Sequence, residues 1–198
     1  MAKSSSKRWL QRHVSDAYVR KAREKGYRSR AAFKLLELDA KHKLLKPGLV
    51  VLDLGAAPGG WSQVAAQKVR PGGRVIAIDL LDVAPIPGVE IQKGDFRDLA
   101  FEGRADLVLC DVSPNISGIR DTDQARAAEL VRDATKLARK YLTPEGVFVA
   151  KLFQGGAFPT LLDDTKRSFR TVQVSKPGAS RSESRETYLL ARGPKAQD

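Results

Sequence analysis

Lys151 stands in GVFVAKLFQGG (146–156), within a run of Val147, Phe148, Val149, Ala150, Leu152 and Phe153. A charged ammonium is rarely placed on such a segment without a partner. The candidate partner is Asp111, which follows the apolar run ADLVLC inside ADLVLCDVSP (105–114). If the two runs are neighbouring strands, amine and carboxylate face each other. That is the pairing of a proton acceptor with the group that orients it. It is equally the pattern of an ion pair that only fixes a sheet edge, and the two residues alone do not choose.

A second constellation surrounds DLGAAPGGWS (53–62). Gly55, Gly59 and Gly60 permit a tight turn and close approach of a ligand to the backbone, with Pro58 and Trp61 in the same stretch. The stretch is not G-x-G-x-x-G, and it lacks the Gly-Lys-Ser/Thr of a phosphate-binding loop. Asp79 ends the run RVIAID and precedes Leu80. An acid there can accept hydrogen bonds from both ribose hydroxyls. Asp95, in GDF, could take a bond from an adenine amino group, with Phe96 packed on the base. The series outlines a ribose and a base without a phosphate cradle. S-adenosylmethionine (SAM) fits that outline.

These residues must be positioned by a framework, and the pattern supplies one. Apolar runs at 49–54, 74–80, 89–96, 105–114 and 146–156 read as strands. Helices are predicted over 30–44, capped by Ser29, then from about 61 to 69 and over 122–141. In the last, Ala127, Leu130, Val131, Ala134, Leu137, Ala138 and Tyr141 share one face. TVQVSK (171–176) and ETYLLAR (186–192) read as an antiparallel pair joined by PGASRSESR. The alternation predicts an α/β domain with a mostly parallel sheet. Ligands of such sheets lie outside the carboxyl ends of the strands, where Gly55, Asp79, Asp95, Asp111 and Lys151 fall.

The chain of 198 residues carries a net charge of +12, unevenly placed. Residues 1–34 hold eleven Lys/Arg against two acids, and 166–192 hold seven against two. The remainder is close to neutral. Two cationic flanks on a neutral body point to a polyanion, and nucleic acid is favoured over a membrane surface because no apolar face accompanies the charge. The candidate contacts are Lys7, Arg8, Arg12, Arg20, Lys21, Arg28, Arg30, Lys176, Arg181 and Arg185. The opening residues lack the apolar stretch of a secretory signal, and the single cysteine, Cys110, fits a reducing cytoplasm. His13 and His42 have no ligand spacing and fall in basic segments expected to be exposed, so no metal is expected.

RSRAAFKL, VLDLGAAPGGWSQ, GDFRD, CDVSPNISG, KLFQG and SRSESRETY together closely resemble the FtsJ/RrmJ (RlmE) family. Its members are 2′-O-ribose methyltransferases of large-subunit ribosomal RNA. The likeness spans nearly the whole chain, although LAFEGRAD (99–106) looks shorter than in some relatives. It implies a Rossmann-like fold: a mostly parallel seven-stranded sheet, helices on both faces and an antiparallel C-terminal strand. It implies one methyltransferase domain (31–198) behind a basic RNA-binding arm (1–30). The family's Lys-Asp-Lys-Glu catalytic set falls on Lys34, Asp111, Lys151 and Glu186. Its cofactor positions fall on Gly59, Trp61, Asp79, Asp95 and Asp111, beside the Gly55, Pro58, Gly60, Leu80 and Phe96 of the same loops. The implied target is a uridine in the peptidyl-transferase A-loop of 23S rRNA, presented on the 50S particle to a monomeric enzyme.

In such a site Lys151 is the expected proton acceptor and Asp111 its orienter. Lys34 and Glu186 then position the ribose and Lys151. Burial and a second ammonium disfavour a charged amine, while the two carboxylates favour it, and sequence does not decide between them. Three rivals share parts of the pattern. A base methyltransferase would place an aromatic after the acid, where DVSPNIS has Ile116 and Ser117, or would need Cys110 as nucleophile. A dehydrogenase would suit Asp79 but not the missing G-x-G-x-x-G. A ribosome-assembly factor without activity would not need the full Lys-Asp-Lys-Glu set.

Overall fold

The computed structural model describes residues 16–114, 117–181 and 183–196. Strands β1 (Val50–Leu54), β2 (Arg74–Asp79), β3 (Val89–Lys93), β4 (Ala105–Cys110), β5 (Leu142–Phe153), β6 (Phe169–Ser175) and β7 (Glu186–Pro194) form one sheet. Its order is β3-β2-β1-β4-β5-β7-β6. The first five run parallel, and β7 lies antiparallel between β5 and β6. This is the α/β Rossmann-like sheet that the sequence implies.

Helices cover both faces, which is why β1, β2 and β4 read as continuous apolar runs. The helices are α1 (Ala17–Glu24), α2 (Ala31–His42), α3 (Gly60–Lys68), α4 (Arg120–Tyr141) and α5 (Phe158–Ser168). Alternate residues of each strand feed different cores. Phe148, Ala150 and Leu152 of β5 pack with Val131, Ala134 and Leu137 of α4. Val147 and Val149, with Tyr188 and Leu190 of β7, pack with Leu35 and Leu38 of α2 and with Trp61 and Val64 of α3. By the same alternation Asp111, Lys151 and Glu186 belong to the face covered by α2 and α3.

Several expectations need correction. Ser29 does not cap α2: Arg30 holds that position without a side-chain bond, and the Ser29 hydroxyl is buried with no partner among the described residues. A Cβ on Gly60 would come 2.4 Å from that hydroxyl oxygen, so the missing side chain lets α3 approach α2. β5 runs from Leu142 to Phe153 rather than over 146–156, and its register with β4 shifts between Ala105 and Leu107. β3 stops at Lys93, and Asp95 instead caps a single 3-10 turn, Phe96–Asp98. Helix α5 has no counterpart among the elements predicted from the sequence. His42 is half-buried rather than exposed. Lys7, Arg8, Arg12, His13 and Ile116 lie outside the described residues.

Candidate active site

The switch in strand order falls between β1 and β4, and the predicted site residues gather at the carboxyl ends there. A cavity of about 410 Å³ is lined by Gly55, Asp79, Leu80, Asp95, Phe96 and Asp111, among others. Six of the ten expected cofactor positions thus share one wall. Gly55 has φ +73°, and a Cβ there would stand 2.2 Å from Cγ1 of Val112 across the cavity mouth. Asp79 anchors the loops on either side: its Oδ2 accepts from Ala57 N at 2.8 Å and its Oδ1 from Leu81 N at 2.8 Å. Each oxygen keeps a lone pair for a ligand hydroxyl.

Asp95 is more heavily engaged. Its Oδ1 accepts from the backbone N–H and Nε of Arg97, at 3.0 and 2.9 Å, and its Oδ2 from Nη2 at 2.5 Å. These bonds outweigh burial and hold its carboxyl below the usual range. Three carboxylates therefore line a cavity whose Arg97 is already fixed to one of them. Such a wall repels a pyrophosphate and accepts hydrogen-bond donors.

Pro58, Gly59, Gly60 and Trp61 follow Gly55 in the same loop and the start of α3. Gly59 starts α3 at φ +105°, where a Cβ would meet Ile86 and Arg28. Trp61 is buried, donates from Nε1 to the Ala31 carbonyl at 2.8 Å and packs on Tyr188 with ring centroids 5.6 Å apart. Through these contacts it ties α2 and α3 to the floor of the catalytic cluster.

That cluster contains all four expected catalytic residues. Lys151 has a side chain only 6% exposed and lies 3.1 Å from Asp111 Oδ1. The same amine donates to the Asp111 carbonyl at 2.8 Å. β4 and β5 are adjacent and parallel, which puts Asp111 beside the end of β5. Across the sheet, Lys151 pairs directly with Tyr188 of β7. Two residues earlier, and so on the same face, Glu186 meets Lys34 of α2 at 2.6 Å.

Tyr188 links the two ion pairs. Its hydroxyl lies 3.0 Å from both Asp111 Oδ1 and Glu186 Oε1, and its one proton serves one carboxylate at a time. Burial first, then the charges of Asp111 and Glu186, push its phenol well above the ordinary value, so it stays a donor and is not a base. Glu186 Oε1 also accepts from the Ser180 hydroxyl at 3.0 Å. Burial would raise the Glu186 carboxyl, but Lys34, Lys151 and Tyr188 together hold it below the usual glutamate range. Tyr188 is not among the site residues predicted from the sequence, whereas Ser180 lies in the predicted loop between β6 and β7. A tyrosine on a strand is ordinary, and only the pairing of β5 with β7 sets Tyr188 opposite Lys151.

Cys110 points into the opposite core, and burial pushes its thiol up to about 12, which removes it as a nucleophile. Asp53, on the α3 side of β1, is buried and accepts from the Ser62 hydroxyl at 2.5 Å, while its Oδ1 has no partner among the described residues. Burial raises its carboxyl to about 7.

The basic candidates divide. Arg20, Lys21, Lys176 and Arg185 are exposed. Lys176 donates to the Ser184 carbonyl at 2.8 Å. Arg28 straps two loops, donating to the carbonyls of Pro58, Ala84 and Pro85 at 3.3, 2.7 and 2.6 Å. Arg30 and Arg181 converge on Asp16.

The chain matches the model of the FtsJ-like methyltransferases over residues 27–194. It is 50% identical over 195 residues to the "Ribosomal RNA large subunit methyltransferase E" of Methylobacillus flagellatus, covering 94% of each chain. It is 52% identical over 198 residues to the protein of that name from Chromohalobacter salexigens, covering 96% of this chain and 94% of that one. Among solved structures, a Plasmodium falciparum protein assigned as a ribosomal RNA methyltransferase superimposes with a TM-score of 0.78 at 28% identity. The match covers 86% of this chain and all of that one. With the match spanning most of its length, the chain belongs to the FtsJ-like methyltransferase family.

Proposed function

We propose that the protein transfers a methyl group from SAM to the ribose 2′-hydroxyl of a uridine in the A-loop of large-subunit rRNA. The observation that carries this reading is the Lys151–Asp111 pair joined through Tyr188 to the Lys34–Glu186 pair, beside an acidic nucleoside-sized cavity. The names of the relatives support rRNA as substrate. A Streptococcus mutans protein sharing the fold at 12% identity, with a TM-score of 0.54 over 80% of this chain and 95% of that one, was crystallised with SAH.

The residues present suit SAM. Asp79 retains acceptor capacity for ribose hydroxyls, Asp95 for an adenine amino group, and Phe96 offers a surface for the base. When bound, SAM supplies an electrophilic methyl on a sulfonium centre, which keeps the electron pair of the broken S–C bond. The chain's own work is positional and protic. A neutral Lys151 amine has two N–H groups and one lone pair. Donating both to Asp111, at its carbonyl and its Oδ1, leaves the lone pair free for an incoming hydroxyl. The O–H bond breaks as the O–CH₃ bond forms, and the proton passes to Lys151 Nζ. The ammonium so formed keeps both bonds to Asp111. Lys34 is held by Glu186 and positions the ribose. Basic residues of the segment 1–30 and of the loop after β6 hold the RNA by its phosphates, in a monomeric cytoplasmic protein that uses no metal.

Alkaline hydrolysis of rRNA after incubation with SAM and ribosomal subunits tests the reading. A 2′-O-methyl blocks cleavage at one linkage. Ready cleavage at the labelled nucleotide would assign the methyl to a base and end the proposal.

A further inference from the structure

Asp16 gathers two arginines from distant parts of the chain. Its Oδ2 accepts from Arg30 Nη1 and from Arg181 Nε and Nη2, the latter pair at 3.4 and 3.3 Å. Its Oδ1 accepts from Tyr18 N at 3.0 Å and caps α1. Arg30 also donates to the Ala179 carbonyl. The Asp16 side chain is only 10% exposed, while that of Arg181 is 38% exposed and borders an open cavity of about 620 Å³. Burial and the adjacent Arg181 charge hold the Arg30 guanidinium below its usual value. Two guanidiniums brought this close need an anion between them, and a planar fork suits an oxyanion best.

The cluster adjoins the catalytic residues. Arg30 precedes Lys34 by four residues, about 6 Å along the axis of α2. Arg181 follows Ser180, whose hydroxyl holds Glu186. In a ribose placed at Lys34 and Lys151, the 3′-oxygen that carries the next phosphate is on the carbon beside the one bearing the reacting hydroxyl, so a seat for that phosphate belongs near these residues. We propose that Arg30 and Arg181 form the seat of an RNA phosphate next to the target ribose, and that Asp16 occupies this seat until RNA displaces it. This rests on the RNA 2′-O-methylation reading above and adds to it a built-in competitor for the substrate.

Asp16→Asn removes the charge but keeps a residue that caps a helix well, so α1 stays formed. Binding of a fluorescein-labelled single-stranded RNA from the large-subunit sequence is measured from low to high salt. The substitution should tighten binding about two- to fivefold. The salt slope should steepen by up to about 0.7, because no displaced carboxylate takes up a cation as the phosphate releases one. Arg181→Ala should weaken binding and flatten the slope by a similar amount. Uridine 3′-monophosphate should compete better than uridine or inorganic phosphate. Unchanged or weaker binding by Asp16→Asn with the helix intact by circular dichroism would overturn the seat, as would an unaltered slope in Arg181→Ala. A wild-type protein that methylates rRNA while the Asn variant behaves as wild type sinks this inference alone. A wild-type protein that deposits no methyl on RNA sinks the underlying reading too.

Discussion

Raising the pH from 5 to 8 takes a proton from Asp53 in a place with almost no solvent. Its carboxyl sits at about 7 in the folded chain, against 3.8 for the free group, chiefly because of burial. A carboxyl raised on folding stabilises the fold where it is protonated. That contribution is complete below the unfolded value and is lost as pH rises through the folded one. Across the whole range the displacement corresponds to about 4 kcal/mol, and about 2.5 kcal/mol of it disappears between pH 5 and pH 8. The structural basis is visible: Ser62 serves one oxygen, and the other has no partner among the described residues. Urea unfolding at several pH values measures the effect, which at ordinary denaturant slopes moves the midpoint by about 1 M. The comparison is with Asp53→Asn, which does not titrate. The variant's own stability is immaterial, since only the difference in pH slope is read. Parallel stability–pH curves for the two proteins would refute the argument that desolvation governs this group.

Other outcomes follow from the same geometry. Gly55→Ala places a Cβ 2.2 Å from Val112 at a positive φ, so SAM affinity measured by calorimetry should fall at least tenfold. Tyr188→Phe removes a hydrogen bond shared by two carboxylates that each keep a lysine. The loss in turnover should stay below about tenfold, about one hydrogen bond's worth, with SAM affinity unchanged. Methylation of RNA should fall steeply with added salt while SAM affinity barely moves, as phosphate contacts dictate; equal salt sensitivity would contradict the assignment of the basic flanks.

Much of the framework was legible because burial on both faces writes itself into sequence. β1, β2 and β4 are apolar runs, and Asp79 and Asp111 are the acids that end or follow them. Helix α5 was hidden by its surroundings. It follows Gly155 and Gly156 and carries Pro159 in its first turn, which reads as loop although proline is tolerated there. One of its buried positions is Thr165, whose hydroxyl bonds back to the Leu161 carbonyl, so the apolar stripe is interrupted. Lys151 and Asp111 could be paired from sequence because each stands out in its run. Tyr188 could not, because a tyrosine in a strand is ordinary and only the register of β5 against β7 sets it opposite Lys151. Arg28, Arg30 and Arg181 show the opposite limit. Charge counting finds them, but whether a guanidinium meets a carbonyl, a carboxylate or solvent is decided by tertiary packing.

The claim on which the rest depends is that the Lys151 amine, fixed by Asp111, takes the proton of the sugar hydroxyl. Single-turnover methylation of ribosomal subunits by Lys151→Ala, read alongside SAM binding by the same preparation, tests it directly. We expect SAM affinity within about threefold of wild type and methyl transfer lowered by at least 10²-fold, the low end of what a positioned base contributes. Transfer within tenfold of wild type, with SAM bound normally, would contradict it.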